Sequence, residues 1–426
     1  MKEDLLHFIW GQKKLHGRQL TSTANEAITI KAPGVPNQYS GPDFFNAQIA
    51  IDAQTWVGNV EIHLKSSDWY AHHHQTDSNY DNVILHVVWE DDISVFRKDG
   101  SLIPTLELKD YVSKELLERY QNLFEKSKPK FINCEKDFAQ IDSFLMEHWL
   151  HRLYIERLEE KSKRIEVLLK KSKNDWEGVL FALLAKNFGS KVNGDFFLDR
   201  ALQLEYSIIR KVSGSLEDLE SLLFGHFGLL EVDHCTDHYF LRLQKEYRYL
   251  SRKFDLLPAL SKPEFFGLRP PNFPTIRISQ LAQLYGKKQS LFAQLMEVDA
   301  LEEIYSIFDI ASSSYWEDHF TFGKTSKKSK KKLSKSFMDL LVINTIVPLK
   351  FCYSRRVGLD WNDDLISLIS EIKKEQNSII KGFENLGSKT KNAMESQAKI
   401  QLHTQYCSKN KCLRCALGTH LLNRNT

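Results

Sequence analysis

Residues 39–92 read YSGPDFFNAQIAIDAQTWVGNVEIHLKSSDWYAHHHQTDSNYDNVILHVVWEDD, and the alternation within this stretch decides the fold of the N-terminal part. Phe44 to Asp52 alternates as a strand, Trp56 to Lys65 is its hairpin partner, and Asp52-Ala53-Gln54-Thr55 supplies the turn. Val83 to Trp89 is a near-continuous apolar run, as expected of a strand buried on both faces. Residues 68–81 between them are polar and suit a helix or a loop. Side chains two apart on a strand share a face. Glu61, His63 and Lys65 therefore project together, opposite the core-facing Val60, Ile62 and Leu64.

Upstream, residues 4–15 have the spacing of a short amphipathic helix with Leu5, Phe8 and Ile9 on one side. Ala27 to Ala32 reads as a strand ended by Pro33-Gly34 and Pro36-Asn37. Downstream, Ser94–Arg97 and Leu102–Leu108 read as a further pair joined at Lys98-Asp99-Gly100-Ser101. From about Tyr111 the period changes. Residues 111–125, 141–171 and 175–188 place apolar residues at three-to-four spacing among Lys and Glu, the mark of amphipathic helices, and this continues to about residue 256. Residues 257–274 are proline-rich and read as an ordered loop or a domain seam. Helices resume at Ile276, are interrupted near 323–335 and finish before Gly418. The expected fold is α+β: a mixed-sheet α/β module over residues 1–110, a helical region over 111–256, and a second helical region over 257–426 ending in cysteines.

A chain of 426 residues with 42% hydrophobic and 12% aromatic residues sustains more than one core, which excludes global disorder. Its 58 basic and 55 acidic residues nearly cancel, which excludes a uniformly basic nucleic-acid coat. No apolar run approaches the roughly 18 residues of a membrane helix, and MKEDLLHFIW lacks a signal-peptide core, so a cytoplasmic location without a membrane is expected. Oligomeric state is not legible.

The chemistry gathers in the same stretch. If the hairpin forms, Asp43 falls near the end that carries Glu61 to Lys65. Two carboxylates brought together repel, and a hard divalent cation, Mg²⁺ or Mn²⁺, keeps both ionised. A neighbouring lysine then orients the attacking water. The arrangement resembles the PD-(D/E)xK nuclease superfamily, in which an Asp opens one strand and acid-x-Lys sits on its partner. The order helix, strand, Asp43 strand, Glu61 strand, polar segment, strand is similar to the superfamily's α-β-β-β-α-β core. Here the lysine position holds His63, and Lys65 lies two further on: either His63 substitutes for the lysine or Lys65 reaches in. His72, His73, His74 and Asp77 follow. Helical geometry would pair His73 or His74 with Asp77; extended geometry would pair His72 with His74. Either delivers an imidazole beside the carboxylates, and His86 on the next strand is a further candidate.

The segments GPDFFNAQIAID, VEIHLKSSDWYAHHHQTDSNYDNVILHVVW, RPPNFPTIRISQLAQL and YCSKNKCLRCALG resemble, over nearly the full length, an uncharacterised bacterial family, a domain of unknown function of the 2851 type. That resemblance implies no activity.

Two other features carry chemistry. Cys407-x4-Cys412-x2-Cys415 suits Zn²⁺ or an iron–sulfur cluster, with His403, His420, Cys352 or Cys134 available as a fourth ligand. Lys324–Lys335 contains Lys327, Lys328, Lys330, Lys331 and Lys332 without an acid, a self-repelling and therefore flexible run fit to contact phosphates of DNA or RNA. The leading expectation is a metal-dependent nuclease with Asp43 and Glu61 on the metal, Lys65 or His63 at the water, and His72, His74 and Asp77 as auxiliaries. Its rivals are a non-catalytic binding scaffold and a transition-metal enzyme that uses His63, His72, His74 and Asp77 on a small substrate.

Overall fold

The computed structural model describes residues 2–424 apart from 18, 38, 125–129 and 232–234. Residue 125, the end of one expected helix, and residues 232–234 of the helical run therefore lie outside the described residues. Contacts gather the chain into two units. Unit 1 is Met1–Trp149 with Leu386–Ser388 and Leu402–Thr426; unit 2 is Leu150–Asn385 with Lys389–Gln401. The protein is α+β, a mixed sheet followed by a large helical region.

Unit 1 begins with α1 (Glu3–Gly11), whose first turn carries Glu3 and Asp4 where the helix dipole favours acids. It buries Leu5, Leu6, Phe8, Ile9 and Trp10, each contributing about 1.5–3 kcal/mol relative to exposure. The sheet contains β1 (Leu20–Thr21), β2 (Ala27–Ala32), β3 (Val35–Pro36), β4 (Phe44–Ile51), β5 (Gln54–Lys65), β6 (Val83–Glu90) and β7 (Thr105–Glu107). Its order is β1-β2-β4-β5-β6-β7, with β3 also paired to β4. β2, β4 and β5 run antiparallel, with Phe44 opposite Val60 and Ile49 opposite Trp56. Asp52 turns the β4–β5 hairpin with a φ of 50°, a conformation Asp tolerates, and its carboxylate accepts from Ala27 N at 2.8 Å. β6 then runs parallel to β5, pairing Glu61 with His86, and β7 runs parallel to β6. Gly58 permits the passage between neighbours, because a Cβ there would collide with Ile84 and sit 2.8 Å from the Asn82 carbonyl.

One core joins α1 to Val60, Ile62, Leu85 and Val87 of the sheet, to α3 (Lys114–Phe124), and to Cys412 and Leu422 from the far end of the sequence. A second, smaller core of Trp69, Tyr80, Val83, Val95 and Ile103 lies under the segment between β5 and β6. That segment consists of the short helix α2 (Asp68–Ala71) and two single 3-10 turns, His74–Thr76 and Ser78–Tyr80.

Two expectations are corrected. The pair at 94–97 and 102–108 is reduced to a bridge between Phe96 and Leu102. Residues 105–107 join β6 in parallel instead, because the Pro104 carbonyl captures the His86 N–H at 2.9 Å and leads the chain along β6. The last helix does not finish before Gly418 but runs from Ala416 to Asn423, since Gly418 lets it lie against the Cys412 backbone, where any Cβ would clash.

Unit 2 is helical, with one small hairpin at His319–Thr321 and Lys324–Thr325. Helix Pro274–Lys287 is buried along its whole length from Pro274 to Tyr285. Within it Arg277 is buried, its guanidinium carbon 3.7 Å from the centroid of the Phe337 ring. Residues Lys335–Val357 form, among the described residues, the one helical run long and apolar enough to cross a membrane, and 67% of its apolar window is buried inside the protein.

Candidate metal centre and active site

The β4–β5 hairpin brings Asp43 and Glu61 together through reciprocal hydrogen bonds. The Asp43 N–H donates to Glu61 Oε2 at 3.1 Å, and the Ile62 N–H donates to Asp43 Oδ2 at 3.0 Å. A bulge between Phe44 and Ala47, with Asn46 at a φ of 56°, bends β4 just after Asp43. Bulges of this kind re-aim side chains beside active sites. From α1, His7 Nε2 lies 3.2 Å from Asp43 Oδ2.

Glu61 and His63 project from β5 into the space roofed by α2 and the 3-10 turns, and they are only 5% and 2% exposed. His73 sits between two inward neighbours in the left-handed region, with a φ of 61°. That single kink lets both His72 and His74 turn towards the sheet. His63 Nε2 is 3.1 Å from His72 Nδ1 and 3.4 Å from Glu61 Oε1; His74 Nε2 is 3.3 Å from the same oxygen. The ligand atoms of His63, His72 and His74 all lie within 4.8 Å of one another. Two donors about 2.1 Å from one ion, at tetrahedral or octahedral angles, stand about 3.0–3.4 Å apart. The 3.1, 3.3 and 3.4 Å separations match that range.

The surroundings hold these rings in place. His63 Nδ1 is 2.9 Å from His86 Nε2, so the outer nitrogen of His63 is oriented by a second imidazole. His74 stacks on Tyr80 with ring centroids 3.8 Å apart. His74 Nε2 and His86 Nδ1 are buried without a hydrogen-bond partner among the described residues. Buried polar atoms are otherwise paired in folded proteins, so an orphaned ring nitrogen aimed at a carboxylate marks a place for an ion. The donor set fits a divalent cation of the imidazole-preferring kind.

Electrostatics agree with such a centre. Burial, together with the Asp43 charge, pushes the Glu61 carboxyl far above the usual range. Burial, reinforced by the neighbouring imidazoles, holds His63 down to about 2, and burial holds His86 down to about 3. His74 is also lowered by burial. His7 is the exception: burial lowers it, but the hydrogen bond and charge of Asp43 outweigh that and raise it.

The structure thus gathers Asp43, Glu61, His63, His72 and His74. It does not bring in Lys65 or Asp77. Lys65 lies at the strand end, half-exposed, with Nζ 4.0 Å from Glu90 Oε2. Asp77 is exposed and caps the turn at Asn79. His7 and Tyr80 were missed. A lone histidine in an amphipathic helix points nowhere until that helix docks beside Asp43, and Tyr80 carried no signal beyond its aromatic ring.

The lysine run is tied down, not flexible. Ser326 N donates to Asp318 O, Ser329 N to Glu317 O, and Lys331 O accepts from Ser312 N. Lys331 itself is buried, its ammonium donating to the Trp316 and Glu317 carbonyls. Internal acceptors thus take up the charge that the sequence reading left unbalanced. Lys328 pairs with Glu317 at 3.6 Å and Lys332 with Asp309 at 2.9 Å, while Lys327 and Lys330 are exposed. The cysteines Cys407, Cys412 and Cys415 meet Cys134 around one cavity in unit 1.

Fold and site together define an α+β protein whose mixed sheet carries a histidine–carboxylate centre. The chain belongs to the family described as "Protein of unknown function (DUF2851)", which matches residues 3–378. No curated protein and no solved structure matches it.

Proposed function

We propose that the protein is a metal-dependent hydrolase of nucleic-acid phosphodiesters, with its centre at Glu61, His63, His72 and His74. The observation that carries this reading is the meeting of three imidazole donors within 4.8 Å of one another, two of which lie 3.3 and 3.4 Å from one Glu61 oxygen. Three nitrogens and one oxygen favour Mn²⁺, Zn²⁺ or Fe²⁺ over the all-oxygen preference of Mg²⁺. A cation held there supplies Lewis acidity and neutralises charge on the phosphodiester. Asp43, fixed by the Ile62 N–H, is the general base for the attacking water. His7 beside it retains a proton and offers it to the leaving oxygen. His86 and Tyr80 hold the His63 and His74 rings. Support for a polynucleotide substrate is the order of elements, α1, three antiparallel strands, a polar segment and a parallel strand, which is similar to the order expected of the nuclease superfamily that the sequence resembles.

Depth favours a second reading. Glu61, His63 and His74 are buried and only His72 is exposed, which suits a small substrate at the same centre. The test is cleavage of labelled DNA and RNA, and of a small phosphodiester, with Mn²⁺, Zn²⁺ or Mg²⁺ supplied. Asp43→Asn is expected to lose about 10²–10⁴-fold in rate, as removal of a general base does. Hydrolysis of the small ester alone selects the second reading. Cleavage that persists in the doubly substituted His72→Ala, His74→Ala protein, or none with any cation, overturns both.

A further inference from the structure

The cysteine cavity is separate from the histidine centre and unused by it. Of six cysteines, four come together there from two distant parts of the sequence, and none is in a disulfide. We infer that Cys134, Cys407, Cys412 and Cys415 bind an iron–sulfur cluster that fastens residues 402–424 to the N-terminal part of unit 1.

Four observations converge. Cys407, Cys412 and Cys415 have the C-x4-C-x2-C spacing of one class of iron–sulfur ligand, which needs a fourth cysteine from elsewhere. Unit 1 supplies it in Cys134, whereas Cys352 belongs to unit 2 and faces the Ser162 carbonyl. The backbone is bent to suit: the turn Leu402–Cys407 is a π-helix, an uncommon form frequent at functional sites, and it ends on a ligand. Asn133, next to Cys134, donates to Cys412 Sγ at 3.4 Å and to Asn410 Oδ1 at 3.0 Å. It therefore ties the upstream ligand to the loop that carries the others, and donates to a sulfur as groups around cluster thiolates do.

Spacing decides between a cluster and a single ion. Structural zinc sites take their ligands as two short pairs well separated in sequence, whereas three cysteines at C-x4-C-x2-C completed by one distant cysteine is an iron–sulfur arrangement, and Cys407, Cys412, Cys415 and Cys134 have that form. Phe138, Leu402 and Leu417 line the same cavity with apolar side chains.

The test is iron and acid-labile sulfide analysis of the full chain purified without oxygen, and again after supply of ferrous iron and sulfide. Roughly two to four of each per chain are expected, with absorption in the visible, both lost in Cys134→Ser and in Cys412→Ser and kept in Cys352→Ser. To separate cluster loss from any folding defect of Cys134→Ser, the cluster is also stripped from folded wild type with an oxidant and a chelator. Tryptic cleavage at Lys409, Lys411 or Arg414 should then accelerate about tenfold through local opening. One zinc and no sulfide, no metal after reconstitution, full iron in Cys134→Ser, or unchanged cleavage after stripping overturns the proposal.

Discussion

Two buried polar clusters, one in each unit, show opposite states of satisfaction. In unit 2, Glu220 is 3% exposed and its two oxygens accept from Tyr239 and Ser279, while the Ser279 hydroxyl accepts from Ser313 N at 2.9 Å. Every donor there has a protein acceptor, and the cluster locks buried helix Pro274–Lys287 in register. In unit 1, Glu61 is as deeply buried, but His74 Nε2 beside it at 3.3 Å has no hydrogen-bond partner among the described residues. Burial alone does not mark a functional site. What separates the two is whether the polar atoms close on one another or on an empty point.

Substitutions sharpen this contrast. Glu220→Ala leaves hydroxyls unpaired beside a new cavity and is expected to cost about 3–5 kcal/mol in chemical unfolding, with no rescue by metal. A loss below 1 kcal/mol would mean that the unit 2 network is not structural. Glu61→Gln should instead weaken Mn²⁺ or Zn²⁺ binding about 100-fold in calorimetry, some 2.7 kcal/mol, while leaving the metal-free protein as stable as wild type or more so. It removes a carboxyl whose ionisation burial opposes.

The pH dependence has a definite sign. His63 and His86 sit below their ordinary value, so the folded state binds fewer protons than the unfolded state between about pH 3 and 6.5, and stability falls as pH drops through 6.5. Glu61, raised, acts oppositely, its contribution being lost as pH rises above 4.5. In denaturant titrations between pH 6.5 and 4.5, His86→Leu should flatten the acid slope by about one proton, roughly 1.4 kcal/mol per pH unit. An unchanged slope would place the titration elsewhere. Smallest is the effect of Lys327→Glu with Lys330→Glu, which should lower the salt dependence of DNA or RNA binding by about two phosphate contacts and leave metal affinity unchanged.

The sheet was legible because period-two alternation acts over neighbouring residues: Phe44–Ile51, Gln54–Lys65 and Val83–Glu90 lie where the pattern put them. The shared face of Glu61 and His63 followed from the same rule. The rule could not say that Lys65, one pair further, leaves the roofed part of the strand for Glu90. Nor could it show that one left-handed residue, His73, would turn two histidines inward at once. His7 and Cys134 required tertiary information, since each meets its partners across distant sequence. The acceptors for the lysine run, the carbonyls of Trp316 and Glu317, are backbone atoms that every sequence has and no residue pattern signals.

The central claim is that Glu61, His63, His72 and His74 surround one cation site. Its most direct test is a Co²⁺ titration of the metal-free protein, followed by visible absorption and calorimetry, in a background where Cys134, Cys407, Cys412 and Cys415 are replaced by serine. One equivalent should bind with a nitrogen–oxygen ligand spectrum in that background and fail to bind once His72→Ala and His74→Ala are added. Binding that survives loss of both histidines, or no saturable binding in the intact site, would contradict it.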